Sequence, residues 1–249
     1  MKKEEILDFI NRYYLGGKIE SAAWTFNGGN VTTMFRSGDK SFMGMVTKNK
    51  FGFDEDCQIG ILTTGQLVKL LGIMSDEFEF GLNKHTAGDG EEKIVSMKLV
   101  NGRSRINYML ADLTVIPKAK GLKAEPDYNL TLNIDDEFID LFIKGKGALP
   151  DTKSFTLVKN TKTDKYEVVI GYSSTNANSV YIPVEVENVN REVDRPISFS
   201  AEYFKEILSA NKGADEFKFV VSDQGISHTQ VKGGDYSIDY YLAEVQTDV

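Results

Sequence analysis

Cysteine is nearly absent from the sequence: its 249 residues include only Cys57. A single thiol cannot form an internal disulfide bond, which favours an intracellular protein. There is no run of about 18 apolar residues, so the sequence predicts no membrane-spanning helix. Residues 1–9 lack the uninterrupted apolar stretch of a secretory signal peptide. With 41% hydrophobic and 27% charged residues, the composition is typical of a soluble globular protein.

Histidine is also scarce, and the side chains that build metal sites and catalytic sites are not grouped. His85 and His228 have no cysteine, histidine or carboxylate at the spacing of metal ligands, so we expect no metal site. Cys57 lies on an apolar predicted strand, which favours a buried structural role over a nucleophile. The Gly-Lys-Gly sequence at 145–147 lacks the Lys-Ser/Thr ending and the helix of a phosphate-binding loop. We therefore expect no cofactor and no catalytic residue.

Acidic residues form three short clusters, at residues 54–56, 89–92 and 135–137. The first two fall in predicted turns, and the third lies at the start of a predicted helix, where acids stabilise the helix dipole. We interpret all three as solvated surface. The alternative is an enzyme, such as a nuclease or a glycan-processing protein, that uses Asp54, Asp56, Asp135 and Asp136.

An internal repeat spans nearly the whole chain. Residues 102–112, GRSRINYMLAD, return as residues 234–244, GDYSIDYYLAE, at an offset of 132 positions. At the same offset, EEILDFI at 4–10 falls on DEFIDLF at 136–142. A tandem duplication of this length predicts two similar domains, which we place at residues 1–112 and 128–249.

The segment between the copies, residues 113–127, is a predicted connector. It contains two prolines, a glycine and three lysines without apolar periodicity, which is typical of an extended linker. Three of its first four residues, Leu113, Val115 and Ile116, are apolar, which is unusual for a solvated linker. They either continue the preceding strand or form the rim of a groove, and the sequence leaves both open.

Each copy is predicted to contain two amphipathic helices among roughly eight strands, an α+β pattern with antiparallel sheets. The apolar stripes of the helices have the i, i+3, i+4 spacing of a buried face. They are Ile6, Leu7, Ile10 and Tyr14; Leu67, Leu70, Leu71 and Met74; Phe138, Ile139 and Phe142; and Phe204, Ile207 and Leu208.

Charge on these helices bears on nucleic-acid binding. The net charge of the chain is −8, which on average argues against binding to phosphates but does not exclude a basic face on an acidic body. Lysine on the wet side of a helix is also common in any soluble protein, so this distribution alone is weak support for DNA binding. The helix-borne cations are Lys2, Lys3, Arg12, Lys69, Lys144, Lys146, Lys205 and Lys212.

The order of motifs resembles that of the DNA sliding clamps, most closely the trimeric processivity factor of T-even-type phages, which is related in fold to the cellular proliferating-cell-nuclear-antigen clamps. The resemblance covers essentially the full chain. It is carried by motif order and spacing in residues 61–72, 76–82, 101–117, 197–210, 215–221 and 235–245. It implies an α+β fold of two tandem clamp domains, each with two helices packed on antiparallel sheets, and three chains closing into a ring.

The resemblance implies a non-enzymatic function. A sliding clamp encircles duplex DNA, is loaded by a clamp-loader ATPase and tethers the replicative DNA polymerase; a phage-encoded clamp would act in the host cytoplasm. Because a ring holds DNA topologically, it needs neither base readout nor tight phosphate contacts, and the net charge of −8 is compatible with it. The eight helix-borne cations would then face the DNA.

Two protein-binding surfaces follow from the same resemblance. A groove for partner peptides would involve Leu113, Val115, Ile116 and Pro117 of the connector with Tyr241, Leu242 and Val245, although Leu242 is equally well read as a core residue. A subunit joint would pair the strand at 103–111, through Arg105 and Tyr108, with the strand at 179–186 of the next chain, through Val180, Ile182 and Pro183. Proline fits an edge strand because it cannot donate to a central ladder.

The chain departs from cellular clamps at its start. Those clamps have a strand before their first helix, whereas this sequence begins almost directly in the helix; the second copy does have the strand, at 128–132. The alternative function is a monomeric polymerase accessory factor of the same duplicated fold, which would bind DNA on one open face. That alternative predicts a denser basic strip than these helices offer.

Overall fold

The computed structural model describes residues 1–86, 92–102, 104–173 and 178–246. Two compact units are present. The first comprises Met1–Arg36 and Met45–Lys120, and the second comprises Ser37–Gly44 and Gly121–Val249. The division after Lys120 falls inside the predicted connector. Arg103 and most of the acidic cluster at 89–92 lie outside the described residues.

The first unit contains two helices and two antiparallel sheets. In chain order its elements are α1 (Lys3–Tyr14), a 3₁₀ turn (Leu15–Gly17), β1 (Ala22–Asn27), β2 (Asn30–Arg36), β3 (Phe42–Lys48), β4 (Cys57–Ile61), α2 (Thr64–Ile73), β5 (Glu79–Thr86), β6 (Glu92–Asn101) and β7 (Ser104–Met109). One sheet has the order β3-β2-β1-β4 and the other β5-β6-β7. The first residues of β3 belong to the second unit.

Helix α1 packs through an aromatic face. Phe9 and Tyr13 are fully buried and meet Trp24 edge-on, with ring centroids 5.2 and 6.2 Å apart. The predicted stripe placed Leu7 and Tyr14 on this face, but both are only half-buried. Residues 6, 9, 10 and 13 have the i, i+3, i+4, i+7 spacing of a single helix face, and this is the face that is buried. The aromatic rings at positions 9 and 13 bury a large apolar area there.

The second unit contains the same elements and two additional strands. They are β8 (Leu130–Asn133), α3 (Asp136–Ala148), β9 (Ser154–Asn160), β10 (Lys165–Ile170), β11 (Val180–Pro183), β12 (Glu185–Val189), β13 (Ile197–Ser200), α4 (Ala201–Ala210), β14 (Glu216–Ser222), β15 (Ile226–Gly233) and β16 (Tyr236–Ala243). The strand orders are β12-β8-β14-β15-β16 and β11-β10-β9-β13. An aromatic core of Phe142, Phe155, Phe204 and Phe219 lies between helices and strands.

The predicted strand at 179–186 is two strands. Val184 separates β11, at the edge of the smaller sheet, from β12, which pairs with β8 in the larger one. Pro183 ends β11, where its missing N–H costs no ladder bond on the open side.

The order of elements confirms the predicted fold class. α1 to β3 match α3 and β9 to β11, while β4, α2 and β5 to β7 match β13, α4 and β14 to β16. Strands β8 and β12 have no counterpart among the described residues of the first copy. The protein is α+β, with two helices packed on antiparallel sheets in each copy. Within the described ranges, no helix is long and apolar enough to cross a membrane.

Candidate nucleic-acid interface and protein-binding surfaces

The two helices of each unit pack against each other, α1 on α2 and α3 on α4. On α1, the cations have local partners. The Lys3 ammonium donates to the Met74 carbonyl oxygen at 3.0 Å and lies 3.4 Å from an Asp76 carboxylate oxygen. Arg12 pairs with Asp8, one turn earlier, at 3.2 Å. Their charges are therefore largely compensated within the unit.

Lys69 differs from these cations. It is exposed on α2, a helix that contains no acidic residue. Lys69 has no ion-pair partner among the described residues, and the same holds for the exposed Lys2 and Lys144. These three side chains are the cations most available to an external phosphate.

The helices of the second unit are linked by an ion pair. The Lys212 ammonium, just after α4, lies 2.6 Å from the Asp140 carboxylate on α3. This hydrogen bond holds the pKa of the Asp140 carboxyl below its ordinary value and raises the pKa of Lys212. Lys205 is 3.4 Å from its neighbour Glu206, and Lys146 donates to the Pro150 carbonyl at 2.7 Å.

The eight predicted cations therefore lie on or beside the helices but do not make a dense basic strip. Five of them, Lys3, Arg12, Lys146, Lys205 and Lys212, interact with a carboxylate or carbonyl oxygen in their own unit. Such a surface would hold a polyanion weakly, since few counterions would be released on contact.

The connector residues predicted for the groove form a turn. Asp112 accepts a hydrogen bond from the Thr114 N–H at 2.8 Å, and Ile116 is buried, with 4% exposure. Residues 113–116 therefore do not continue β7. Val115 is 58% exposed, and Leu113 and Pro117 lie on either side of it at the surface of the first unit.

Gly60 allows this turn to approach the sheet. The Ala111 N–H donates to the Gly60 carbonyl at 2.9 Å. A Cβ at residue 60 would lie 2.5 Å from the Ala111 oxygen and 3.1 Å from Ile116. Only glycine fits at this position without moving the turn.

In the second unit, Leu242 is 1% exposed and is a core residue, whereas Tyr241 and Val245 are half-buried at the surface. Glu125 accepts hydrogen bonds from two tyrosine hydroxyls, Tyr128 at 2.6 Å and Tyr241 at 2.8 Å. Burial and the Glu125 carboxylate raise the pKa of both tyrosines.

His228 is buried, with 5% exposure, and packs against both tyrosines. Its ring stacks on Tyr241 with centroids 4.2 Å apart, and its Nε2 lies 2.8 Å from Asp239. Glu125, Tyr128 and His228 were not among the predicted groove residues. No short spacing connects them, because Glu125 and Tyr241 are 116 positions apart.

The two strands predicted for a subunit joint are both edge strands. On β7, Tyr108 is buried and its hydroxyl donates to the Thr63 carbonyl at 3.2 Å, while Arg105 is exposed and Met109 is 65% exposed. On β11, Ile182 is buried, Val180 is half-buried and Pro183 is exposed, while Tyr181 is 60% exposed. The alternation of a half-buried strand could have identified Met109 and Tyr181.

Strand β16 is the counterpart of β7 in the second copy, but its edge facing away from β15 is not open. The Ala243 N–H donates to the Ser41 carbonyl at 2.8 Å, and the Phe42 ring stacks near Tyr240, 6.1 Å between centroids. The start of β3 thus lies beside β16 within the second unit. In the element order of the repeat, the strand of the second copy that corresponds to β3 is β11, the other strand predicted for the subunit joint.

No family model matches the sequence, and no curated protein matches it. Solved structures do match. PCNA of A. fulgidus, in a structure with the C-terminal region of FEN-1 bound, gives a TM-score of 0.73 at 16% identity, covering 100% of this chain and 98% of that one. The chain has the fold of PCNA sliding clamps. PCNA of Entamoeba histolytica gives 0.68 at 15% identity, covering 98% and 96%. The clamp fold extends over both copies of the repeat.

Proposed function

We propose that the protein is a sliding clamp: a non-enzymatic ring of three chains that encircles duplex DNA and tethers the replicative DNA polymerase. The observation that carries the proposal is the full-length match to the clamp fold, with 100% of the chain and 98% of A. fulgidus PCNA aligned. A match to one domain alone would have supported only a shared building block.

The duplication supports closure of the ring. Within one chain, the start of β3 lies beside β16. If the second copy repeats that arrangement, β11 should lie beside β7 of another chain, and both strands have an open edge. The exposed Met109 and Tyr181 would be buried in this joint. Head-to-tail contacts of this kind close into a ring when the rotation per chain allows it.

The helices would face the DNA. Lys2, Lys69 and Lys144 would meet phosphates directly, and Lys3, Arg12, Lys146, Lys205 and Lys212 would contribute little net attraction because of their local partners. Weak, non-specific attraction suits a ring that must slide, since topology rather than affinity holds it on DNA.

The residues proposed for the partner groove belong to the connector and to the end of the chain's last strand. Leu113, Val115, Ile116 and Pro117 would contribute from the connector, Tyr241 from β16 and Val245 from the residues after it, while Leu242 is buried in the core of the second unit. The A. fulgidus structure holds the C-terminal region of FEN-1. By analogy, short segments of a polymerase and of a clamp-loader ATPase would bind this chain.

The closest functional analogue we propose is the trimeric clamp of T-even-type phages, acting inside the host cell. The specific alternative is a monomeric accessory factor that binds DNA on one open face. The compensated cations on α1, α3 and α4 disfavour it, because an open face must hold DNA by affinity alone.

Solution mass and polymerase assays distinguish the two. A ring should have a native mass near three times 27.8 kDa and should stimulate its polymerase on primed circular DNA only with loader and ATP. A stable monomer that stimulates the polymerase without a loader would replace the ring by the accessory factor.

A further inference from the structure

The two copies of the repeat differ at one sheet edge. In the second unit, β14 pairs on one side with β15 and on the other with β8. Its counterpart β5 pairs with β6, but no full strand lies on its other side among the described residues. The local sequences are nearly the same, DEFEF at 76–80 and DEFKF at 215–219. Among the described residues, the first copy therefore has the receiving strand without a full strand on that side.

The open side of β5 leaves apolar side chains partly uncovered. In the second unit, Leu132 lies opposite Phe219 and Leu130 opposite Val221, and all four are at most 1% exposed. The equivalent residues of β5, Phe80 and Leu82, are only half-buried. The Phe80 ring packs edge-on with Phe53, with centroids 5.0 Å apart, and remains only half-buried.

The open edge also presents backbone groups. Phe78 exchanges two backbone hydrogen bonds with Met1, at 2.8 and 3.1 Å, and Lys2 forms a β-bridge with Glu77. Backbone groups alternate in direction along a strand, so those of Phe80 and Leu82 point to the same outer side as those of Phe78. An added strand would therefore continue a ladder that residues 1–2 begin.

We propose that the outer edge of β5, residues 79–82, is a docking site for an extended segment of a partner protein. The segment adds as an antiparallel strand, with apolar side chains opposite Phe80 and Leu82. The chain itself contains an example of such an occupant, since β8 fills the equivalent position with the sequence Leu-Thr-Leu-Asn. This proposal does not depend on ring formation.

Charge defines one end of the segment. Asn133 of β8 lies opposite Lys218, whereas the equivalent position of β5 is Glu79, next to the exposed acids Asp76 and Glu77. A lysine or arginine in the partner, following its second apolar residue, would lie opposite Glu79. The preferred segment therefore has four residues: an apolar residue, any residue, a second apolar residue and a basic residue. The bulge between Asn83 and Lys84 limits the site to about four residues.

A labelled peptide with the sequence of residues 128–133, which stops short of the position that Met1 occupies opposite Phe78, is the direct probe, titrated against the full chain by fluorescence anisotropy. We expect saturable binding that weakens about tenfold or more when both leucines become serine. Replacing the asparagine that corresponds to Asn133 by lysine should tighten binding, and replacing it by glutamate should weaken it. Equal affinity for all these peptides would overturn the proposal.

Backbone methylation separates strand addition from a general apolar contact. N-methyl groups on the two leucines remove the N–H groups that would pair with Phe80 and Leu82, and should abolish binding. N-methyl groups on the threonine and asparagine point away and should be tolerated. Hydrogen exchange should show new protection at the Phe80 and Leu82 amides. Protection elsewhere would refute the site, and concentration-dependent protection of these amides without peptide would mean that a second copy of the chain occupies it.

A fused strand provides a variant that cannot fail simply by unfolding the edge. Placing Leu-Thr-Leu-Asn directly before Met1, after an added start methionine, continues the register of the bridge between Lys2 and Glu77. This extension should raise Tm and block the peptide, whereas Ser-Thr-Ser-Asn should do neither. If both extensions behave alike, the edge does not accept an apolar strand.

Discussion

The Lys212 ammonium lies 2.6 Å from the Asp140 carboxylate and joins the end of α4 to α3. The pair neutralises Lys212, one of the cations that the proposed function places on a DNA-facing surface. Asp140 thus acts as an internal counterion of Lys212, and it weakens the electrostatic attraction of the helices for phosphate.

Asp140→Asn should free this cation. We expect the variant to bind DNA more tightly. We also expect a steeper salt dependence, in which the slope of log K against log salt changes by less than about one unit because a single cation is freed. The measurement is DNA binding across a salt series. Glu187→Gln is the matched control, because it frees Lys218 from a 3.3 Å pair between strands β12 and β14. If both variants changed DNA binding equally, the proposal that the helices rather than the strands face the DNA would be wrong.

The Asp140 pair also has a pH dependence. The pKa of Asp140 is lowered in the folded state, so its contribution to stability is present above the ordinary aspartate pKa, about 3.9, and is lost as the pH falls through the lower folded value. Unfolding by urea from neutral to acidic pH should show a smaller acid-induced loss for Asp140→Asn than for the parent chain. An unchanged profile would mean that the pair does not persist in solution.

Charge reversal should rank the helix cations. Lys69→Glu and Lys144→Glu should impair loading on DNA more than Lys205→Glu, because Lys205 is already 3.4 Å from Glu206. The trimer should stay intact in all three. Lys232→Glu, on β15 and paired with Glu216, is the control that should load normally. A larger loss of loading for Lys205→Glu than for Lys69→Glu and Lys144→Glu would contradict the inference that Lys205 is compensated by Glu206.

The exposed apolar residues of the edge strands test the subunit joint. Met109→Asp and Tyr181→Asp each place a charge where two chains should meet, and each should shift the native mass from three chains toward one. Val189→Asp changes another exposed apolar residue, on β12, and should leave the mass unchanged. A trimer that survives both joint variants would place the contact elsewhere.

Gly60→Ala tests the turn that carries the connector. The added methyl would overlap the Ala111 carbonyl, so we expect a loss of about 1–3 kcal/mol in the free energy of unfolding. Urea denaturation measures it. Gly38→Ala, with no atom near the added Cβ, is the control and should change stability little.

Much of the fold follows from the sequence, whereas the compensation of charge does not. Apolar periodicity and turn residues predict the four helices and most strands, and the repeat predicts their common order. The pairs Lys212–Asp140 and Tyr241–Glu125 join residues 72 and 116 positions apart, and nothing local in the sequence marks them. The division of residues 179–186 into two strands is similarly set by which sheet each part joins. Strand β8 has no counterpart among the described residues of the first copy, and the structure locates the open edge at β5.

Retention on closed DNA tests the proposed clamp most directly. After loading with its loader and ATP, the labelled protein should stay on a circular duplex through a high-salt wash, because a ring cannot dissociate without opening. One restriction cut should release it. Loss from the intact circle at the same rate as from linear DNA would show that contacts rather than topology hold the protein, and would contradict the clamp.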